Sequence, residues 1–440
     1  MKRTKVGLPL HVAVIILAVL GLASSGKSID SGPGNIASSV PAAAMPYVAF
    51  AWNDLGMHCL NPTFDKAVIL PPYNTLWVQV VKRGAPPQIV TSGVTVEYAL
   101  RGNSFSYGKR EYGQFWDNCL ALFGVALAHD RGLNLEDPGI HNGLSGTMLV
   151  KGGHFQANGI PLVPVSDALA WDPYQVADIT VKDSSTGAIL VQTRATVPTS
   201  DEINCGKCHG ADALLTVLVK HDAKEGTHLA AKRPVLCAGC HGTPALGISG
   251  PGSSGRYLSQ AIHGFHASKG AACYDCHPGA TTKCSRSVAH TAADGNCSAC
   301  HGKMSDVAGS VAAGKRTPWL QEPTCVTCHP GIPEIDSGAS LYRNAFGHHG
   351  VSCAACHGSP HAQVPSSQAA DNYQPIQYQG KARPIGDCRV CHDSTLGGGG
   401  LDKFAAAHGG TRATACSVCH TAAPAANAAG WPHQFMWKKR

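Results

Sequence analysis

The chain has 440 residues, among them 50 glycines, 28 prolines, 19 cysteines and 23 histidines, with a formal net charge of +7. No basic patch with interleaved aromatics accompanies that charge, which excludes the nucleic-acid partner it invites. Beyond the amino terminus no stretch is long and apolar enough to span a bilayer.

The chain begins Met1, Lys2, Arg3, Thr4, Lys5, continues with an apolar core from Val12 to Ala23, and then turns to small residues at Ala23, Ser24 and Ser25. Basic, apolar and small segments in that order make up a secretory signal, here residues 1–25, and predict export to the periplasm or the cell surface. The twelve-residue core, preceded by Pro9 and His11, falls short of a spanning helix of about twenty residues. An uncleaved anchor is the alternative, and the only route by which this chain meets a membrane. The first cysteine is Cys59, so nothing near the cleavage region suits a lipid anchor. Residues 26–45 read as a linker.

Residues 46–200 read as β structure. Ile179 and Val181 alternate with Asp178, Thr180 and Lys182, a turn follows at Ser184, Ser185, Thr186 and Gly187, and Val191, Ala195 and Val197 alternate with Gln192, Arg194 and Thr196. That is a hairpin with one apolar face. The runs Leu76 to Val81 and Val94 to Leu100 are similarly β-branched, broken by Pro86 and Pro87. Two layers of short strands, a β-rich and sandwich-like domain, are expected, with Trp52, Trp77, Trp116 and Trp171 in its core. With no nucleophile elbow and no Walker loop, its expected role is structural or docking. His129, His141 and His154 have no suggestive context.

From residue 201 to 440 the grammar changes. Eight times, two cysteines stand two residues apart with histidine directly after the second: Cys205, Cys208, His209; Cys237, Cys240, His241; Cys273, Cys276, His277; Cys297, Cys300, His301; Cys325, Cys328, His329; Cys353, Cys356, His357; Cys388, Cys391, His392; and Cys416, Cys419, His420. At this composition about 0.04 such units would arise by chance. The unit is the attachment mark of c-type haem: the thiols add to the two vinyl groups as thioethers, and the adjoining imidazole becomes the proximal iron ligand. Zinc, the other use of paired cysteines, needs pairs grouped two by two and gives no reason for a histidine after each. Eight covalently attached haem c groups are therefore expected.

Successive motifs begin 24 to 36 residues apart, a loose repeat that leaves little protein per haem for an ordinary core. A loop-rich, mainly short-helix domain is expected, with Ala211 to Lys220 and Phe404 to His408 as helices and loops around Gly250 to Gly255, Gly397 to Gly400 and Pro424 to Gly430. Haem also changes the charge. Loss of Lys2, Arg3 and Lys5 with the signal leaves +4, three fewer than the formal value. Eight haems, each with two propionates against one residual ferric charge, then add roughly −8, so the mature oxidised protein is anionic. The terminal Trp437, Lys438, Lys439, Arg440 run reads as a solvated tail.

The sixth ligand decides between wire and enzyme: a second imidazole closes an iron, and an open position admits substrate. The expected distal set is His221, His263, His266, His290, His349, His361, His408 and His433, with His228 and His348 as substitutes. His263 and His266 are three apart, so one helical turn could present them to two neighbouring haems. His361 follows its own proximal His357 by four residues and is expected to serve a different haem. His58, in the segment from Asn53 to Cys59, caps a haem or is a polar-loop residue. Cys59, Cys119 and Cys284 remain outside the motifs. A Cys59–Cys119 bridge is expected, with Cys284 free or paired between chains.

With these motifs, residues 205 to 433 resemble bacterial multihaem c-type cytochromes, in particular octahaem electron-transfer cytochromes of respiratory and metal-reducing bacteria. The resemblance implies haem attachment outside the cytoplasm and closely packed bis-histidine haems. It also implies electron passage between inner-membrane donors and redox partner proteins or an extracellular electron acceptor, with homo-oligomers or filaments in some members. Octahaem hydroxylamine oxidoreductases and nitrite or tetrathionate reductases are the rival reading. Several of these replace a motif histidine with lysine, whereas all eight motifs here end in His. A carrier is therefore expected over an enzyme, and a filament-forming or surface-binding cytochrome that assembles through its β domain is the third reading.

Overall fold

The computed structural model describes residues 45–84, 86–279, 281–290, 297–324, 341–347 and 350–392. The signal, the motifs at Cys325 and Cys416, the candidate ligands His348, His349, His408 and His433, and the expected helix Phe404 to His408 lie outside these residues. Among the described residues, no helix is long and apolar enough to cross a membrane.

The strands before residue 201 are β1 (Tyr47–Trp52), β2 (His58–Cys59), β3 (Ala67–Val68), β4 (Asn74–Lys82), β5 (Gln88–Val90), β6 (Val94–Leu100), β7 (Ser145–Thr147), β8 (Leu149–Lys151), β9 (His154–Ile160), β10 (Val176–Asp183), β11 (Ile189–Thr196) and β12 (Thr199–Ser200). One antiparallel sheet runs β1-β4-β9-β8, with β5 also on β4, and a second runs β11-β10-β6-β7. The strand period of two sends Ala49, Ala51, Leu76, Val78 and Val80 from the first sheet, and Val96, Tyr98, Ile179, Val181 and Val191 from the second, into one buried core. The β10–β11 hairpin turns where the sequence puts Ser184 to Gly187. There the Asp183 carboxylate accepts the backbone N–H groups of Ser185 and Thr186, both at 2.9 Å. Ile179 is fully buried in the shared core. Ile179→Val should cost about 0.5–1.5 kcal/mol, read as a lower urea midpoint with unchanged slope.

A helix, α1 (Gln114–Phe123), interrupts what the sequence reads as uniform β structure. Phe115, Trp116, Cys119 and Leu122 fall on one face and pack with Leu60, Phe64 and Val163. This corrects the expected Cys59–Cys119 bridge, since both are free thiols. Leu60 shares the core that holds Cys119, whereas the neighbour that acts on the Cys59 thiol is Cys284. Trp52 and Trp116 are buried, whereas Trp77 and Trp171 are half-buried at the edges of their clusters.

Beyond residue 201 come the short helices α2 (Gly206–His209), α3 (Ala213–Glu225), α4 (Leu258–His266), α5 (Ser298–His301), α6 (Met304–Ala312), α7 (Cys353–His357) and α8 (Tyr373–Gln379). Of these, α7 packs on β1 and α8 on β11, whereas α4 and α6 pack on each other. The second face of β1, Val48, Phe50 and Trp52, is buried against Ala354, Ala355, Tyr378 and Val390. Being apolar on both faces, β1 shows no alternation. Its outer edge is closed by side chains of α8: Gln374 accepts the Ala51 N–H at 2.9 Å and donates to the Ala51 carbonyl at 2.6 Å, while Tyr378 Oη donates to the Ala49 carbonyl at 2.7 Å. An exposed strand edge is thereby sealed. The strand β13 (Val235–Leu236), directly before the second motif, pairs in parallel with β3.

Candidate haem-binding site

Each described motif folds as a single helical or 3₁₀ turn. His209, His241, His277, His301 and His392 donate their backbone N–H to the carbonyl of the first cysteine of their own motif, at 2.8 to 3.0 Å. The motif at Cys353 is the helix α7 itself. Residues three and four apart share one face of such a turn, so the spacing of the motif delivers both thiols and the imidazole to one side. Cys208, Cys240 and Cys300 are exposed and the other described motif cysteines half-buried. Burial raises the Cys237 and Cys276 thiols to about 11 and the Cys356 thiol to about 12. Among the described residues no three His, Cys, Asp or Glu side chains gather as a metal-ion site.

Four expected distal histidines stand opposite four proximal ones. The ring centroids are 6.4 Å apart for His209 and His266, 6.3 Å for His241 and His221, 6.1 Å for His277 and His263, and 6.1 Å for His301 and His361. Two metal–imidazole bonds of about 2.0–2.1 Å, plus the inner half of each ring, fill such a gap. α4 carries two of the four: His263 and His266, one turn apart, face different motifs.

The second ring nitrogen shows which atom is left for a metal. The Nδ1–H groups of His263 and His266 donate to the carbonyls of Ser259 and Ile262, each at 2.8 Å, and His361 Nδ1–H donates to the Leu55 carbonyl at 3.0 Å. His221 Nδ1 meets Thr227 Oγ1 at 2.9 Å; that hydroxyl gives its own proton to Asp222 at 2.6 Å and therefore accepts from the ring. His241 Nδ1 lies 3.2 Å from the Arg256 carbonyl, and His301 Nδ1 lies 3.4 Å from Glu322 Oε2. Ligating imidazoles characteristically hold the other nitrogen in this way, which leaves Nε2 for the metal. His209 Nδ1 is buried without a partner. Burial, followed by repulsion from His263, His301 and His361, lowers His277 to about 4. Burial likewise lowers His209, His263 and His361. These rings stay neutral at neutral pH, the form that ligates.

The motifs are also neighbours. Lys207 of the first turn reaches Asp275 of the third at 2.6 Å. Beside Cys205 an open cavity of about 880 Å³ is lined by Pro62, Ile203, Leu214 and Tyr274 together with the charged Lys66, Lys207, Asp212 and Asp275, a size suited to a large planar ligand. The donor set, the ring spacing and this cradle all fit haem.

The remaining expected sites divide. His290 lies on the Ser287 hydroxyl at 3.1 Å, and His228 precedes the turn Leu229–Ala231. His58 is spoken for: its Nε2 bonds to Asp54 Oδ1 at 2.8 Å in a buried network with Thr75. Nε2, the nitrogen that the paired rings leave for a metal, is taken up here by Asp54. Sequence reasoning passed over Glu322 beside His301 and the Leu55 carbonyl under His361, contacts made between distant segments that leave no local signal.

Residues 265–334 match the cytochrome c3 family. The match takes in His266, the motifs at Cys273, Cys297 and Cys325, and His290. It identifies a multihaem c-type cytochrome region, with covalently bound haem c and a role in electron transfer. No curated protein and no solved structure matches the chain.

Proposed function

We propose that the chain is an exported electron carrier holding eight covalent haem groups, with irons closed by paired imidazoles: His209 with His266, His241 with His221, His277 with His263, and His301 with His361. The observation that carries this reading is the common spacing of 6.1 to 6.4 Å between an expected distal ring and a proximal ring in all four pairs. Haem supplies a one-electron redox centre that needs no bond-making at the iron. The chain's own part is to anchor, orient and insulate. Motif turns fix the attachment edge, α4 sets two distal rings at once, and backbone carbonyls on Nδ1 of His241, His263, His266 and His361 leave Nε2 of those rings for the metal. Because the matched region contains three motifs and the same five-residue unit recurs eight times, the count of eight follows from repetition of one chemical signal.

The intact mass of the purified protein should exceed that of the mature polypeptide by eight haem groups, and the reduced protein should bind no carbon monoxide. Seven or fewer haems refutes the count. One equivalent of carbon monoxide marks an open iron and refutes the closed carrier in favour of an enzyme.

A further inference from the structure

His361 has φ +59°, a left-handed conformation that a non-glycine residue keeps only where its surroundings over-determine it, and such residues cluster at functional sites. The surroundings come from two directions. The His361 carbonyl accepts from the backbone N–H groups of Arg286 at 2.6 Å and Ser287 at 3.0 Å. Its Nδ1–H donates to the Leu55 carbonyl at 3.0 Å, across 306 residues of sequence.

Leu55 belongs to the loop that leaves β1, and that loop is itself fixed. Asn53 Oδ1 accepts the N–H groups of Leu55 at 3.2 Å and Gly56 at 2.7 Å, while Asn53 Nδ2 donates to Asn74 Oδ1 at 2.7 Å and the Thr75 carbonyl at 2.8 Å on β4. The Asn53 N–H donates to Ser359 Oγ at 3.0 Å, two residues before His361. Gly56, at φ +75°, lies so close to the ligand segment that a Cβ there would sit 1.7 Å from the Pro360 carbonyl oxygen. Its own carbonyl accepts from Arg286 Nη2 at 2.9 Å.

We infer that the Asn53–Gly56 loop is a positioning element for the haem of the Cys297 motif. It clamps the backbone of Pro360 and His361 and aims the His361 ring at the iron held by His301. This gives the amino-terminal β region a part in the redox machinery, acting through one distal ligand. It rests on the pairing of His361 with His301 proposed above, and the test separates the two.

Three variants of the full haem-loaded protein are compared by carbon monoxide titration after reduction and by the high-spin ferric signal at low temperature. His361→Ala should bind one equivalent, and its failure to do so would sink the ligand assignment itself. Gly56→Ala, which pushes on Pro360 without touching any ligand, should bind up to one equivalent with haem content unchanged. The double variant should still bind one and not two, because both changes open the same iron. A fully loaded Gly56→Ala protein that binds none overturns the positioning role, as does a double variant that binds two. If Gly56→Ala does not accumulate as holoprotein, Ser359→Ala decides. Loss of the Asn53 contact should shift the reduction potential of a single haem, and a redox titration superimposable on the native one overturns the inference.

Discussion

Replacing His263 and His266 together by alanine should create two carbon-monoxide-binding haems in a protein that otherwise binds none. Both residues project from α4 within one turn, yet His266 stands 6.4 Å from His209 and His263 stands 6.1 Å from His277. Removing a ring leaves its iron with a proximal imidazole and an open sixth position, which changes spin state and admits small ligands. The single variants should each bind one equivalent, and their effects should add because different irons are opened. Titration of the reduced proteins counts the sites. If the two single variants open the same haem, or the double variant opens one, the assignment of α4 to two neighbouring motifs is wrong.

Replacing Arg286 by leucine should cost about 3–5 kcal/mol of stability, since it strands a buried charge. The Arg286 and Asp371 side chains are 1% and 3% exposed and meet at 2.9 Å. Asp371 also accepts from Ser366 Oγ at 2.7 Å, and the guanidinium lies 5.1 Å from the Tyr174 ring centre while bonding the carbonyls of Gly56, Lys283 and Cys284. Truncating the arginine leaves the buried carboxylate without its counter-charge, held only by the Ser366 and Thr196 hydroxyls, and takes a donor from each of these carbonyls. Converting Asp371 to leucine as well should recover much of the loss, because an apolar pair of similar volume needs no solvation. Denaturant unfolding of the two variants checks both halves. A loss below about 1 kcal/mol in the single variant would place this ion pair with weak surface pairs.

Chemistry written in contiguous residues was legible without a fold. The five-residue motif carries its own geometry, because residues three and four apart meet on any helical turn, and each described motif does fold as such a turn. The β10–β11 hairpin was legible for the same reason: Ile179 and Val181 alternate with polar neighbours, and one face is buried. The expected helix Ala211 to Lys220 overlaps α3, which starts two residues later at Ala213 and runs on to Glu225. By contrast β1 reads Tyr-Val-Ala-Phe-Ala-Trp with no alternation, since its two faces enter different cores. The helix α1 sits among strands because its apolar face finds Leu60 and Phe64, a tertiary reason that outweighs local appearance. Cys59 and Cys119, unmatched in the sequence, invited a bridge, but both are free thiols and the fold sets Cys59 near Cys284 instead.

The sequence by itself determined the attachment chemistry and the supply of histidines, because covalent attachment needs only neighbours along the chain. Which imidazole faces which was decided by the tertiary structure alone. The His301 and His361 rings stand 6.1 Å apart between centres, and only packing sets a distance between segments so far apart along the chain. The same holds for the Leu55 carbonyl beneath His361: a backbone acceptor has no residue identity to read, and becomes part of the site only when the fold brings it there.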